Sequence, residues 1–175
     1  MIKQLDKAAY KGHELIFKYT TDSFYDVIYK ENENIFAITL AKKSLKTPIE
    51  KTFTSTLFEP YLDNPLAFGY FLGDTIVGYI EVNKEIWHNA LRVTNILVDQ
   101  QYRRQKVGKT LMDYIKDYAT AEKHRVVLLE TQSCNTKAID FYRKQGFKLV
   151  GLNMVDYTNN DINNKEVRLE FGYKL

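Results

Sequence analysis

Ile96-Leu97-Val98-Asp99-Gln100-Gln101-Tyr102-Arg103-Arg104-Gln105-Lys106-Val107-Gly108-Lys109-Thr110 is the stretch whose reading decides the fold. It starts in an apolar run, Leu91 to Val98, whose Leu91, Val93 and Leu97 alternate with Ile96 and Val98, as in a strand covered on both faces. It breaks into a polar, basic segment, Asp99 to Lys106. From Val107 the apolar residues Val107, Leu111, Met112, Ile115 and Tyr118 recur at spacings of three and four, which is one face of a helix. The first amides of a helix have no partner inside it and sit at the positive end of its dipole. Arg103, Arg104, Lys106 and Lys109 crowd that same end. Cations there disfavour the helix by itself. They make sense if an anion fills the gap.

Working upstream, Leu66 to Leu72 and Thr75 to Val82 read as strands joined by Gly73-Asp74, a two-residue hairpin loop. A loop over Asn83 to Asn89 holds Trp87 and His88. Earlier still, Glu14 to Thr21, Ser23 to Tyr29 and Ile35 to Leu40 are strand-like, with a turn composition at Lys30 to Asn34. Thr47-Pro48-Ile49-Glu50 predicts a helix from about Ile49 to Leu57. Met1 to His13 is a short helix or a lead-in. Downstream, Glu122-Lys123-His124 closes the long helix, and Arg125 to Glu130 is a buried strand. Asn135 to Gln145 is a second helix ended by Gly146. Phe147 to Tyr157 and Val167 to Leu175 are the last strands. The order hairpin, strand, helix, strand, helix, strand predicts a mixed α/β layer fold.

With 175 residues, 45% of them hydrophobic, one domain can bury roughly two-thirds of its unfolded surface. The expected organisation is a single domain over 1–175: a variable acceptor-side segment over 1–65, a core over 66–157 and a C-terminal strand over 158–175. One cysteine, Cys134, cannot form a disulfide within the chain, which suits a reducing, cytoplasmic setting. No run approaches the ~20 apolar residues needed to span a bilayer, and Met1 to Tyr10 has no leader-like apolar run. A net charge of +3, with basic residues clustered only at Arg103–Lys109, argues against a nucleic-acid partner. His13, His88 and His124 show no metal spacing.

Tyr102 to Leu111 resembles the acetyl-CoA pyrophosphate loop of the GNAT superfamily of N-acetyltransferases, which reads Arg or Gln, two residues, Gly, one residue, then Gly or Ala. Arg103 and Gly108 fit. Lys106 stands where the family has its first Gly, and its amide remains usable if φ is negative. The run from Asn135 through Ala138, Phe141-Tyr142 and Gly146-Phe147 resembles the later GNAT motif. Both occur in the family's order, covering about Leu72 to Val150. The resemblance implies a GNAT-like, mostly antiparallel central sheet flanked by helices, with acetyl-CoA as donor. It assigns cofactor contacts to Ile96, Leu97, Val98, Arg103, Arg104, Gln105, Lys106, Val107, Gly108, Lys109, Thr110, Asn135 and Tyr142. No metal is needed.

The implied chemistry sets the remaining roles. An alkyl amine arrives protonated and must lose a proton before it attacks a thioester. Glu81, in Ile80-Glu81-Val82, and Glu130, at a strand end, are the candidate bases, acting directly or through a water. Desolvation at such positions favours the protonated form of a carboxyl. The oxyanion needs a donor, which the resemblance places on a main-chain amide near Ile96 to Val98. Tyr142 is the implied proton donor to the departing thiolate; otherwise it packs under the cofactor. Asn135 caps its helix, contacts pantetheine, or does both. Cys134 is expected to be a buried side chain, not an acyl carrier.

Leu129-Glu130-Thr131-Gln132, Phe141-Tyr142-Arg143-Lys144-Gln145-Gly146-Phe147 and Glu166 to Tyr173 most resemble the streptothricin acetyltransferase branch. The implied acceptor is a small-molecule primary amine on a polycation. Tyr25, Asp26, Glu81 and Trp87 are the candidate substrate contacts, and Asp22, Glu59, Asp63 and Glu85 add acidic charge nearby in sequence. Protein, ribosomal and polyamine N-acetylation, or a non-catalytic CoA-sensing role, are the alternatives. A homodimer through Val167 to Leu175 is possible, since that strand is apolar.

Overall fold

Alternating apolar and polar side chains organise most of the chain into strands. The computed structural model describes residues 1–175. Its elements are β1 (Ile2–Gln4), α1 (Lys7–Tyr10), β2 (Glu14–Asn32), β3 (Ile35–Thr56), β4 (Pro65–Leu72), β5 (Thr75–Glu85), β6 (Ala90–Val98), α2 (Val107–Ala121), β7 (Val126–Gln132), α3 (Thr136–Lys144), β8 (Lys148–Asn153), α4 (Asp161–Asn164) and β9 (Arg168–Lys174). Two compact units share them. The first comprises 1–17, 53–129 and 172–175; the second comprises 18–52 and 130–171.

In the first unit the strand order is β1-β4-β5-β6-β7. The pairs β1–β4, β4–β5 and β5–β6 are antiparallel. β6 and β7 run parallel, from Ala90 opposite Val126 to Arg92 opposite Leu128. Gly73 turns the β4–β5 hairpin at φ +59°, a conformation that costs glycine nothing. α2 packs on β5 and β6 through Val107, Leu111, Met112, Ile115 and Ala119, all buried; Tyr118, expected on this face, is half-buried beside Phe68. The approach needs Gly78 on β5. A Cβ there would lie 3.0 Å from the Val107 side chain and 3.2 Å from Leu111. Elsewhere in this unit Leu5, Leu15, Leu57, Phe58 and Ala67 form a second apolar cluster.

β6 is covered less evenly than its composition predicts. Leu91 and Val93 are buried, but Ile96, Leu97 and Val98 are only half-buried. The strand carries an extra residue: Glu81 faces Asn95 while Val82 faces Val93. Thr94 is therefore the bulged position, and such a bulge re-aims neighbouring side chains.

The second unit holds the end of β7, then β9 and β8 in that order, with α3. β9 lies between two strands, and β8 is the edge, exposing Leu149 and Val150. Asn135 caps α3 by accepting from the Ala138 amide at 3.3 Å. Gly146 follows the helix at φ +88°. α4 sits in the connection that the sequence leaves as a loop.

The predicted helix over 49–57 does not form. β3 continues through Pro48 to Thr56. β2 and β3 form a two-stranded sheet, so each has an unpaired edge where proline's missing N–H costs nothing. Thr52, Thr54 and Thr56 are β-branched and favour the extended form.

Candidate active site

The quoted loop folds into a tight turn that opens α2. Gln100–Tyr102 makes a single 3-10 turn, and Arg103 Nε donates to the Val98 carbonyl at 3.0 Å, tying the loop to the end of β6. Gln105 Nε2 donates to the Gln101 carbonyl at 3.0 Å. Arg104 and Lys106 both adopt left-handed backbone, at φ +64° and +65°. Lys106 thus takes the conformation a glycine would, not the negative φ expected of it, and caps α2 from there. Alternating the chain through the left-handed region turns successive N–H groups into one concavity, which binds anions. The amides of Val107, Gly108 and Lys109 open α2 just beyond. Thr110 bonds the Lys106 carbonyl with both its amide and its hydroxyl. Lys109 pairs with Asp113 one turn on.

Glu81 lies in the same unit and is fully buried. Its carboxylate accepts from the Phe58 amide at 2.6 Å, the Thr94 hydroxyl at 2.7 Å and the Asn95 side chain at 2.8 Å. The bulge explains this: it brings two consecutive residues of β6 to one carboxylate. Phe58 is itself left-handed, at φ +61°. Glu81 thereby ties β5, β6 and the chain after β3 together. Trp87 is highly exposed, its ring 3.7 Å from that of His88. Glu85, one of the acidic groups, is already engaged by Arg92 and His88. Burial raises its pKa, but these two partners outweigh that and lower it.

The second unit carries Tyr142, Glu130, Asn135, Tyr25 and Asp26. Tyr142 is buried against Phe141, Phe147 and Phe171. Burial, and then the Glu130 charge, raise its pKa, so the phenol holds its proton at neutral pH. Glu130 is partly exposed. It accepts from the Tyr157 hydroxyl at 2.8 Å, and Arg168 stands 3.6 Å away. Asn135 spends its oxygen on the cap, leaving an NH₂ with donors to offer. Asp26 is paired with Lys43 at 2.5 Å. Tyr25 accepts from Arg143 at 3.3 Å. Cys134 is fully buried, with Tyr19 Oη 3.5 Å from its sulfur, and burial pushes its pKa up.

Sequence reasoning missed Thr94, Asn95 and Phe58 around Glu81, and Tyr157 and Arg168 around Glu130. A bulge leaves no mark in hydrophobic alternation, and the other partners are distant in sequence. The histidines have separate surroundings: His13 against Tyr10 and Tyr79, His88 on Glu85, His124 on Asn89.

The model of the Acetyltransferase (GNAT) family matches residues 23–147. Streptothricin acetyltransferase of Escherichia coli is 30% identical over 95 residues, which is 54% of this chain and 54% of that protein. Streptothricin acetyltransferase A of Bacillus subtilis (strain 168) is 27% identical over 140 residues, 74% of this chain and 80% of that one. The chain thus matches about half the length of the first relative and most of the second. A Bacillus anthracis protein, designated a candidate streptothricin acetyltransferase and solved with acetyl coenzyme A, has the same fold. Its TM-score is 0.76 at 22% identity, over 100% of this chain and 97% of that one.

Proposed function

Because the chain belongs to the acetyltransferase (GNAT) family, we propose that it moves the acetyl group of acetyl-CoA directly to a primary amine of streptothricin. The observation that carries the donor half is the left-handed Arg104–Lys106 turn at the start of α2. Its amides and cations suit a pyrophosphate. Arg103, Arg104, Gln105 and Lys106 supply the loop, and Val107 to Thr110 the helix start. Gly108 carries no side chain to crowd the phosphates. Beyond its pairing with β7, the β6 backbone at Ile96–Val98 offers amides to pantetheine as an added strand would, and one of them to the carbonyl oxygen. The Asn135 amide serves pantetheine as well.

In the reaction the amine nitrogen attacks the thioester carbon and the C–S bond breaks. The amine gives up a proton, and the thiolate takes one from Tyr142. Glu130, partly exposed, accepts the amine's proton directly or through a water. Glu81, enclosed by three donors, holds β6 in shape. Trp87 offers an exposed indole face to a cationic acceptor. Direct transfer fits Cys134, whose buried thiol is poorly suited to carry an acyl group. The streptothricin assignment rests on the two relatives above, and the cytoplasm is the compartment that a lone thiol fits.

The test is acetyl-CoA-dependent thiol release, followed spectroscopically, with streptothricin beside polyamines and N-terminal peptides. Fast release with streptothricin alone is the expected result. Release with peptides or polyamines alone would overturn the acceptor. No release with any of them, despite acetyl-CoA binding, would overturn the catalytic reading.

A further inference from the structure

The connection from β8 to β9 is built to hold one side chain. Asp161 is fully buried, and its carboxylate accepts from the Tyr157 amide at 2.9 Å, the Thr158 amide at 2.8 Å and the Thr158 hydroxyl at 2.7 Å. Just upstream, Asn153 accepts from the Val155 amide at 3.0 Å and donates to Asp156 at 2.9 Å. These bonds fix the backbone on both sides of Tyr157. From there its hydroxyl donates to Glu130 Oε2 at 2.8 Å. Burial, and then the Glu130 charge, raise the Tyr157 pKa, so the phenol keeps the proton that this bond needs. Arg168 Nε stands 3.6 Å from the same oxygen, its guanidinium held by Asp156 at 3.2 Å and Glu170 at 2.9 Å.

Both partners therefore sit on Oε2, which leaves Oε1 for an incoming amine or its water. The Glu130 side chain keeps 35% of its surface exposed, so the carboxylate can be reached. A glutamate at an open strand end otherwise samples several rotamers, and a misplaced group catalyses poorly. The Glu130 charge also raises the Tyr142 pKa, yet its hydrogen bond comes from Tyr157. The Tyr142 hydroxyl thus stays available to the departing thiolate. We propose that Tyr157 is a positioning residue for the transfer, its hydroxyl fixing the Glu130 carboxylate with Oε1 free to take the proton that leaves the amine. That role rests on Glu130 being the group that accepts the proton.

Steady-state kinetics on the full chain, with streptothricin as acceptor and saturating acetyl-CoA, test this. Glu130→Gln lowers kcat strongly. Tyr157→Phe lowers kcat roughly tenfold, while the KM for streptothricin, the affinity for acetyl-CoA and the urea midpoint change little. In the Glu130→Gln background Tyr157→Phe has no further effect, because both act through one carboxylate. Normal turnover in Tyr157→Phe beside a slow Glu130→Gln overturns the positioning role alone. So does a loss confined to KM, which would make Tyr157 an acceptor contact, or a Tyr157→Phe loss that persists in full in the Glu130→Gln background. Normal turnover in Glu130→Gln overturns Glu130 as the base, and the positioning role with it.

Discussion

Tyr142 shows how burial suits one side chain to one task. An enclosed phenol beside a carboxylate keeps its proton at neutral pH, and from there it can donate a hydrogen bond to a developing anion such as a leaving thiolate. Tyr142→Phe should lower turnover on the order of a hundredfold while leaving acetyl-CoA affinity little changed, as steady-state kinetics and calorimetry would reveal. Unaltered turnover would make Tyr142 a packing residue. His124 is a residue of the opposite kind. It is buried, its Nδ1 lies 3.1 Å from the Asn89 oxygen, and its Nε2 is buried without a partner. Burial, and then the nearby Lys84 charge, lower its pKa. Above about pH 6.5 the ring is neutral in both the folded and the unfolded chain. Below that, the unfolded chain takes up a proton that the folded one refuses, so stability falls with pH until the folded ring also titrates. Denaturant midpoints should drop on acidification through this window, and His124→Gln should flatten the drop.

At the scale of elements, the start of α2 carries backbone strain at Lys106. Left-handed backbone costs a non-glycine residue about 1–2 kcal/mol, and Lys106 bears that cost where glycine would not. Lys106→Gly should stabilise the fold by about 1 kcal/mol and weaken acetyl-CoA binding through loss of the ammonium. If both rise together, the ammonium has no role in binding. Gly108→Val should abolish acetyl-CoA binding by crowding the pyrophosphate; normal binding would show that the cradle lies elsewhere. The bulge at Thr94 is held by one carboxylate. Glu81→Ala strands three buried donors and should cost about 3 kcal/mol or more, measured by urea unfolding, with Glu81→Gln costing less.

For the whole molecule, ligand and fold are linked. A donor bound only by the folded chain stabilises it by about 2.7 kcal/mol at a hundredfold excess over its dissociation constant. Saturating acetyl-CoA should therefore raise the urea midpoint of the wild type and leave Gly108→Val unmoved. A rise of equal size in both would mean that the stabilisation does not come from this cradle.

Hydrophobic period and turn residues were enough to read β4 through α3 to within about three residues at each end, because these elements rest on local rules: alternation, three-four spacing, a glycine turn and an asparagine cap. The helix misread at 49–57 shows the limit. Thr47-Pro48-Ile49-Glu50 satisfies every local rule for a helix start, yet pairing with β2 over a long stretch outweighs it. The candidate carboxylates could be picked out as isolated charges in apolar strands. Their roles could not, because the donors around Glu81 come from a bulge on another strand and from Phe58, and the partners of Glu130 lie 27 and 38 positions away. What the sequence by itself determined was the order of elements from β4 to α3 and the family, both written in short-range patterns. Only the tertiary structure decided that Lys106 turns left-handed, that Glu81 is enclosed and that Tyr157 reaches Glu130, since each depends on residues that meet only once the chain has folded.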